Sequence, residues 1–145
     1  MEREGMSKFP PKPPLNQRNL NIALQNMHIQ MKFPGFELKK EGKRWVWVGY
    51  LQPTLRSEKY KVKIVHHSYK NTKVFVVEPE VLEHAPHRYS DQSLCLYHPN
   101  DNSFDGETLI ADTIIPWTSE WLFFYEGWLK DGVWWGKEAP HGSLE

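Results

Sequence analysis

The chain has 145 residues, the size of one ordinary domain, which is enough to bury a single hydrophobic core and too few for two. Its 18 Lys and Arg balance its 18 Asp and Glu, so no overall field draws it to nucleic acid or to anionic lipid. No stretch approaches the roughly 18 uninterrupted apolar residues of a membrane span, and the start lacks the apolar region of a signal peptide.

The opening residues 1–15 carry Pro10, Pro11, Pro13 and Pro14, whose fixed φ and missing donors favour an extended arm. From Asn16 to Met31 the apolar residues Leu20, Leu24, Met27 and Met31 recur at spacings of four, three and four. That period predicts an amphipathic helix with those residues as its apolar face and Asn16 or Asn19 as its N-cap. Phe33-Pro34-Gly35-Phe36 breaks it. Three β-like runs follow, Arg44 to Leu51, Tyr60 to Val65 and Lys73 to Val77. In the middle run Tyr60, Val62 and Ile64 fall on one face and Lys61 and Lys63 on the other, as in a strand with one wet side. Short connections over 52–59 and 66–72 predict an antiparallel meander.

The segment from Val81 to Asp105 has no sustained period, and it contains the only cysteine, Cys95. Long irregular segments in compact domains are usually functional or disordered, and the apolar Leu94-Cys95-Leu96-Tyr97 argues against disorder. Trp117, Trp121, Phe124 and Trp128 then repeat at four, three and four. They predict a second helix that starts just after Pro116, ends before Asp131-Gly132 and packs an aromatic stripe on the sheet. Residues 137–145 are read as a tail. A lone cysteine cannot form an internal disulfide, which fits a reducing, cytoplasmic setting. Taken by itself, a cysteine between two leucines is most often a buried small hydrophobe. His84, His87, Cys95 and His98 also have spacings that fit a structural zinc module, but a domain with 14% aromatic residues hardly needs a metal. No metal or cofactor is expected.

The order of helix, meander, long cysteine-bearing loop and Trp-rich helix resembles the α+β fold of ubiquitin-conjugating enzymes. More locally, His87-Arg88-Tyr89-Ser90-Asp91-Gln92-Ser93-Leu94-Cys95-Leu96-Tyr97 looks like that family's active-site strand, in which a turn leads into an apolar-Cys-Leu segment. Ala111-Asp112-Thr113-Ile114-Ile115-Pro116-Trp117 and Glu120-Trp121-Leu122 resemble the bacterial members found in antiphage islands. There a conjugating-enzyme-like protein acts on a cGAS-like nucleotidyltransferase, in systems called CBASS. The resemblance defines residues 16–136 as the catalytic domain and leaves the C-terminus truncated by about two helices against eukaryotic members.

What the resemblance implies is acyl transfer. Cys95 would take the C-terminal carbonyl of a partner as a thioester and pass it to an amine, a task suited to a thiolate, which both attacks and leaves well. Because the donor carbonyl arrives activated, an exposed thiol suffices without a strongly depressed pKa. His87 stands where eukaryotic members carry His-Pro-Asn and would shape the loop or stabilise the oxyanion; His98-Pro99-Asn100 lies on the wrong side of the cysteine. His98, Asp101 and Asp105 form the expected substrate-binding set, the two carboxylates being near enough in sequence to orient or deprotonate an incoming lysine, although such residues are more often turn formers. The expected partner is the C-terminus of a cGAS-like nucleotidyltransferase or a ubiquitin-like protein, with any activating enzyme a separate chain. The alternative is a non-catalytic binding module of the same fold.

Overall fold

A computed structural model describes residues 21–97 and 103–136. Helix α1 spans Ile22–Lys32 with Asn21 as its N-cap, and the expected caps Asn16 and Asn19 lie outside the described residues. The Asn21 side chain accepts a 2.8 Å hydrogen bond from the Leu24 amide, satisfying one of the orphan donors of the first turn. Residues 16–20 of the predicted helix lie outside the described residues. The expected apolar face is also corrected: α1 buries Gln25 and Ile29, whereas Met27 and Met31 are 49% and 70% exposed. A polar residue displaces two methionines from the core because its amide is fully matched. Gln25 Nε2 donates to the Tyr69 hydroxyl and to the Thr108 carbonyl, each at 3.0 Å, and Oε1 accepts from the Ile110 amide at 2.9 Å. A satisfied buried amide escapes the desolvation penalty that makes an unmatched one costly.

The sheet has four antiparallel strands in sequence order, β1 Glu37–Glu41, β2 Arg44–Leu51, β3 Tyr60–Ser68 and β4 Asn71–Glu78. Strand β1 was not expected; Leu38 is its one apolar residue, as suits an edge strand that needs only its ladder partner. The β3 pattern holds as predicted, with Tyr60, Val62 and Ile64 all buried. Leu38, Trp47, Ile64 and Val74 form one cross-strand row on the inner face. The predicted 66–72 connection is mostly strand instead. His66 and Thr72 face each other across the ladder and share a 2.7 Å hydrogen bond between His66 Nδ1 and Thr72 Oγ1. Burial first, with the neighbouring His67 adding to it, pushes the His66 pKa down to about 4. The ring is therefore a neutral core group, and what read as loop polarity is internal pairing.

A single-turn 3-10 helix, Ile110–Asp112, leads into α2, Ile114–Asp131. The helix starts three residues earlier than predicted and holds Pro116 in its first turn, where the missing N–H has no partner to lose. It stops at Gly132, whose φ of +77° allows the left-handed C-cap and a 2.8 Å bond from its amide to the Trp128 carbonyl. The deeply buried face is Ile114, Ile115, Thr118, Trp121, Leu122 and Tyr125. Of the predicted aromatic stripe only Trp121 lies at its centre; Trp117 and Trp128 flank the core half-buried. Ile114, Ile115, Trp121, Leu122 and Tyr125 join Ile29, Phe36, Trp47, Val62, Ile64 and Val74 in one cluster between helices and sheet. Among the described residues no helix is long and apolar enough to cross a membrane.

Candidate functional site

The segment that lacked a sequence period contains a miniature hairpin. Residues 87–89 run antiparallel to 93–95, with Arg88 bridged to Leu94. The Tyr89 amide donates to the Ser93 carbonyl and the Cys95 amide to the His87 carbonyl, both at 2.9 Å. The turn closes through a 2.9 Å bond from the Gln92 amide to the Tyr89 carbonyl, with Gln92 at φ +77°. Asp91 fixes it from within: Oδ1 accepts from the Ser93 amide at 2.9 Å and from Ser93 Oγ at 2.6 Å. Its Oδ2 takes a 2.6 Å bond from Lys73 Nζ on β4. Partial burial works against ionisation, yet the hydrogen bonds from Lys73 and Ser93 hold the Asp91 carboxyl down at about 2. The Leu94 amide donates to the Val74 carbonyl at 2.9 Å, which hangs the hairpin on the outer edge of β4.

This arrangement sets the state of Cys95. The residue is 6% exposed, beside a buried Leu94, so the thiol rests largely out of solvent. Burial pushes the thiol up to about 11; Asp91 adds in the same direction, and a hydrogen bond with the Tyr89 side chain opposes both. The backbone joins His87 to Cys95, while the His87 ring packs on Trp134 with centroids 4.8 Å apart. His87 has φ +61°, and its carbonyl accepts a second bond, 3.0 Å, from Trp121 Nε1 on α2. The histidine thus ties the hairpin to the helix.

Beside the hairpin a cleft of about 800 Å³ is lined by Tyr69, Tyr89, Asp91, Tyr97, Phe104 and Asp105, among others. Asp105 therefore borders the site, but its carboxylate serves as a turn former, accepting from the Glu107 amide at 2.9 Å and from Thr108 Oγ1 at 2.7 Å. Those bonds, Thr108 first, lower its pKa. His98 and Asp101 lie outside the described residues. Among the described residues no three His, Cys, Asp or Glu side chains converge as a metal site.

Tyr89 is the site residue that sequence reasoning passed over. A turn over Ser90-Asp91-Gln92 pairs residue 89 with 93 and 87 with 95, so all four share one face, and a tyrosine reaches a diagonal neighbour across such a pair. The signal was the Asp91-x-Ser93 turn chemistry.

No curated protein matches the chain. A family model described as Type II CBASS E2 protein matches residues 25–142, a span that holds the sheet, the cysteine hairpin and α2. With that match over most of its length, the chain belongs to the family of Type II CBASS E2 proteins.

Proposed function

We propose that this protein is a conjugating transferase of CBASS antiphage defence, built on a ubiquitin-conjugating-type fold, in which Cys95 carries the C-terminal acyl group of a partner protein as a thioester. The observation that carries the reading is the position of Cys95. The chain's only cysteine ends a hairpin pinned between the last strand and α2, beside an open cleft, inside the span matched by the E2 family. The partner is the C-terminus of a cGAS-like nucleotidyltransferase, and a separate protein activates it where activation is needed.

In the resting state the thiol is stored as an acid. With a pKa of about 11, roughly one molecule in ten thousand carries thiolate at pH 7. The low ionised fraction protects the sulfur from adventitious electrophiles, since the thiolate is the nucleophile. Reaction therefore requires local movement of the hairpin that admits the acyl donor from the cleft. The donor's activated carbonyl compensates for a weakly ionised thiol. His87 holds the loop through its carbonyl, and Asp105 shapes the cleft wall along which the acceptor amine approaches.

The test is intact-protein mass spectrometry of the full chain co-expressed with the candidate nucleotidyltransferase, with and without thiol reductant. A reductant-sensitive adduct of the partner's mass that disappears in Cys95→Ala is the expected result. An adduct with a ubiquitin-like protein instead would reassign the cargo. Persistence of CBASS protection in Cys95→Ala cells would overturn the transfer chemistry in favour of a binding module.

A further inference from the structure

The cleft beside the cysteine hairpin is paved with rings. The buried Phe104 lies between Tyr69 and Tyr97, its ring centroid 5.7 Å from each of theirs, and all three line the cleft. The rim carries Lys70 and Lys73 against Asp91 and Asp105, and Lys73 is already paired with Asp91. Charge therefore selects little here. A space of about 800 Å³ walled by aromatic rings suits an apolar ligand with few charges.

The chain carries such a segment. Phe9-Pro10-Pro11-Lys12-Pro13-Pro14-Leu15 has one charge in seven residues, and its four prolines have no N–H to satisfy. A proline run favours the polyproline II helix, whose three residues per turn put Pro10 in line with Pro13 and Pro11 in line with Pro14. Those two rows make one apolar ridge. Segments of this kind dock on aromatic-lined grooves because they are extended beforehand and lose little entropy on binding. Their carbonyls need only donors, which the exposed Lys70 and Ser90 supply at the cleft. The tether fits as well. The carbonyl of Asn21, the first described residue, accepts from the Gln25 amide, and Gln25 Nε2 donates to the Tyr69 hydroxyl at 3.0 Å. The arm thus joins the fold one helical turn from a residue that bonds the cleft wall. Pro14 lies seven residues before Asn21, a reach of roughly 23 Å when extended. A tether of that length gives an effective concentration on the order of millimolar, so even a weak contact is populated.

We infer that the proline arm is the cleft's own ligand: residues 10–14 dock as a polyproline II segment across Tyr69, Phe104 and Tyr97, and a partner that uses the cleft must displace them. The docking does not depend on the thioester reading of Cys95. What rests on that reading is the consequence, since an acyl donor arriving from the same cleft competes with the arm.

The experiment places a nitroxide spin label on Ser7→Cys in the full chain with Cys95→Ala, and reads amide intensities by NMR. A second protein adds Pro10→Ser, Pro11→Ser, Pro13→Ser and Pro14→Ser, which keeps the length of the arm and its tether. The amides of Tyr69, Ser90 and Tyr97 should lose most of their intensity in the first protein and recover severalfold in the second. Equal loss in both would reduce the contact to tether proximity and overturn the docking. Loss centred elsewhere, such as at the exposed Phe123 and Trp135, would overturn it too. So would a loss that fades on dilution, which would give the cleft to the arm of a second copy. A titration needs no label. A synthetic peptide spanning Ser7 to Gln17 should shift the cleft amides of the four-serine variant, and should bind it severalfold more tightly than the unmutated protein, whose own arm competes. Equal affinity for both, or no shift in either, would overturn the inference. None of these readouts involves acylation, so their failure is separate from failure of the thioester reading.

Discussion

The β-meander and the cysteine hairpin are both built of antiparallel pairs, yet they are held by different forces. The meander is fixed by side chains: Trp47, Ile64 and Val74 are 0–1% exposed. The hairpin is fixed by backbone bonds, two residues at positive φ, and a carboxylate paired to a lysine that is half in solvent. Regions with few buried apolar contacts open locally at a fraction of the global unfolding free energy. The comparison teaches that the part of the molecule carrying the thiol is rigid by geometry, and that its geometry rests on exchangeable polar contacts.

The comparison breaks hardest in the meander. Trp47→Ala removes a fully buried ring and the 2.9 Å bond from its Nε1 to Asn26 Oδ1. We expect a loss of about 3–5 kcal/mol in urea unfolding, with all spectroscopic probes moving together. A loss below 1 kcal/mol would mean that the row of Leu38, Trp47, Ile64 and Val74 is not the mainstay of the fold.

A smaller effect is expected at Gln25, where polar pairing rather than apolar area anchors the chain. Gln25→Ala strands the Ile110 amide and the Thr108 carbonyl without their partner, at about 1–3 kcal/mol. Hydrogen exchange should show faster exchange at Ile110 before the sheet responds. Uniform acceleration across the molecule would make Gln25 part of the same cooperative unit as the meander.

The smallest change in stability, and the most telling for the hairpin, belongs to Asp91→Asn. The substitution keeps an acceptor for the Ser93 amide but removes the charge and the Lys73 pair. Being partly solvated, that pair should be worth under ~1 kcal/mol. Since Asp91 raises the Cys95 pKa, removing its charge should lower it. The pH profile of iodoacetamide alkylation should therefore rise earlier than in the unmutated protein, which climbs toward a midpoint of about 11. An unshifted profile would show that burial alone sets the thiol. The linkage runs the same way. A folded-state thiol pKa raised above its unfolded value contributes stability that is present below the unfolded pKa and lost as pH rises through about 11.

The same contrast explains what was legible in the sequence. Tyr60, Val62 and Ile64 alternate with lysines because a half-buried strand requires it, so β3 and its face were readable. The apolar helical spacing identified both helices but misplaced their buried faces. Nothing in a one-dimensional pattern says that Gln25 meets Tyr69, Thr108 and Ile110, and two overlapping stripes on α1 differ only by that meeting. Strand β1 carries one apolar residue and is defined by its partner. The hairpin had no period because its register comes from an aspartate turn and from docking on β4. Cys95 could be singled out by family likeness and by being alone; its burial could not.

His87 offers its carbonyl to the Trp121 indole and its ring to Trp134. Two indoles thus touch the hairpin that ends in Cys95. An indole's emission depends on its hydrogen-bonded partner and its surroundings, so any movement of this hairpin would be readable as light in the unlabelled protein.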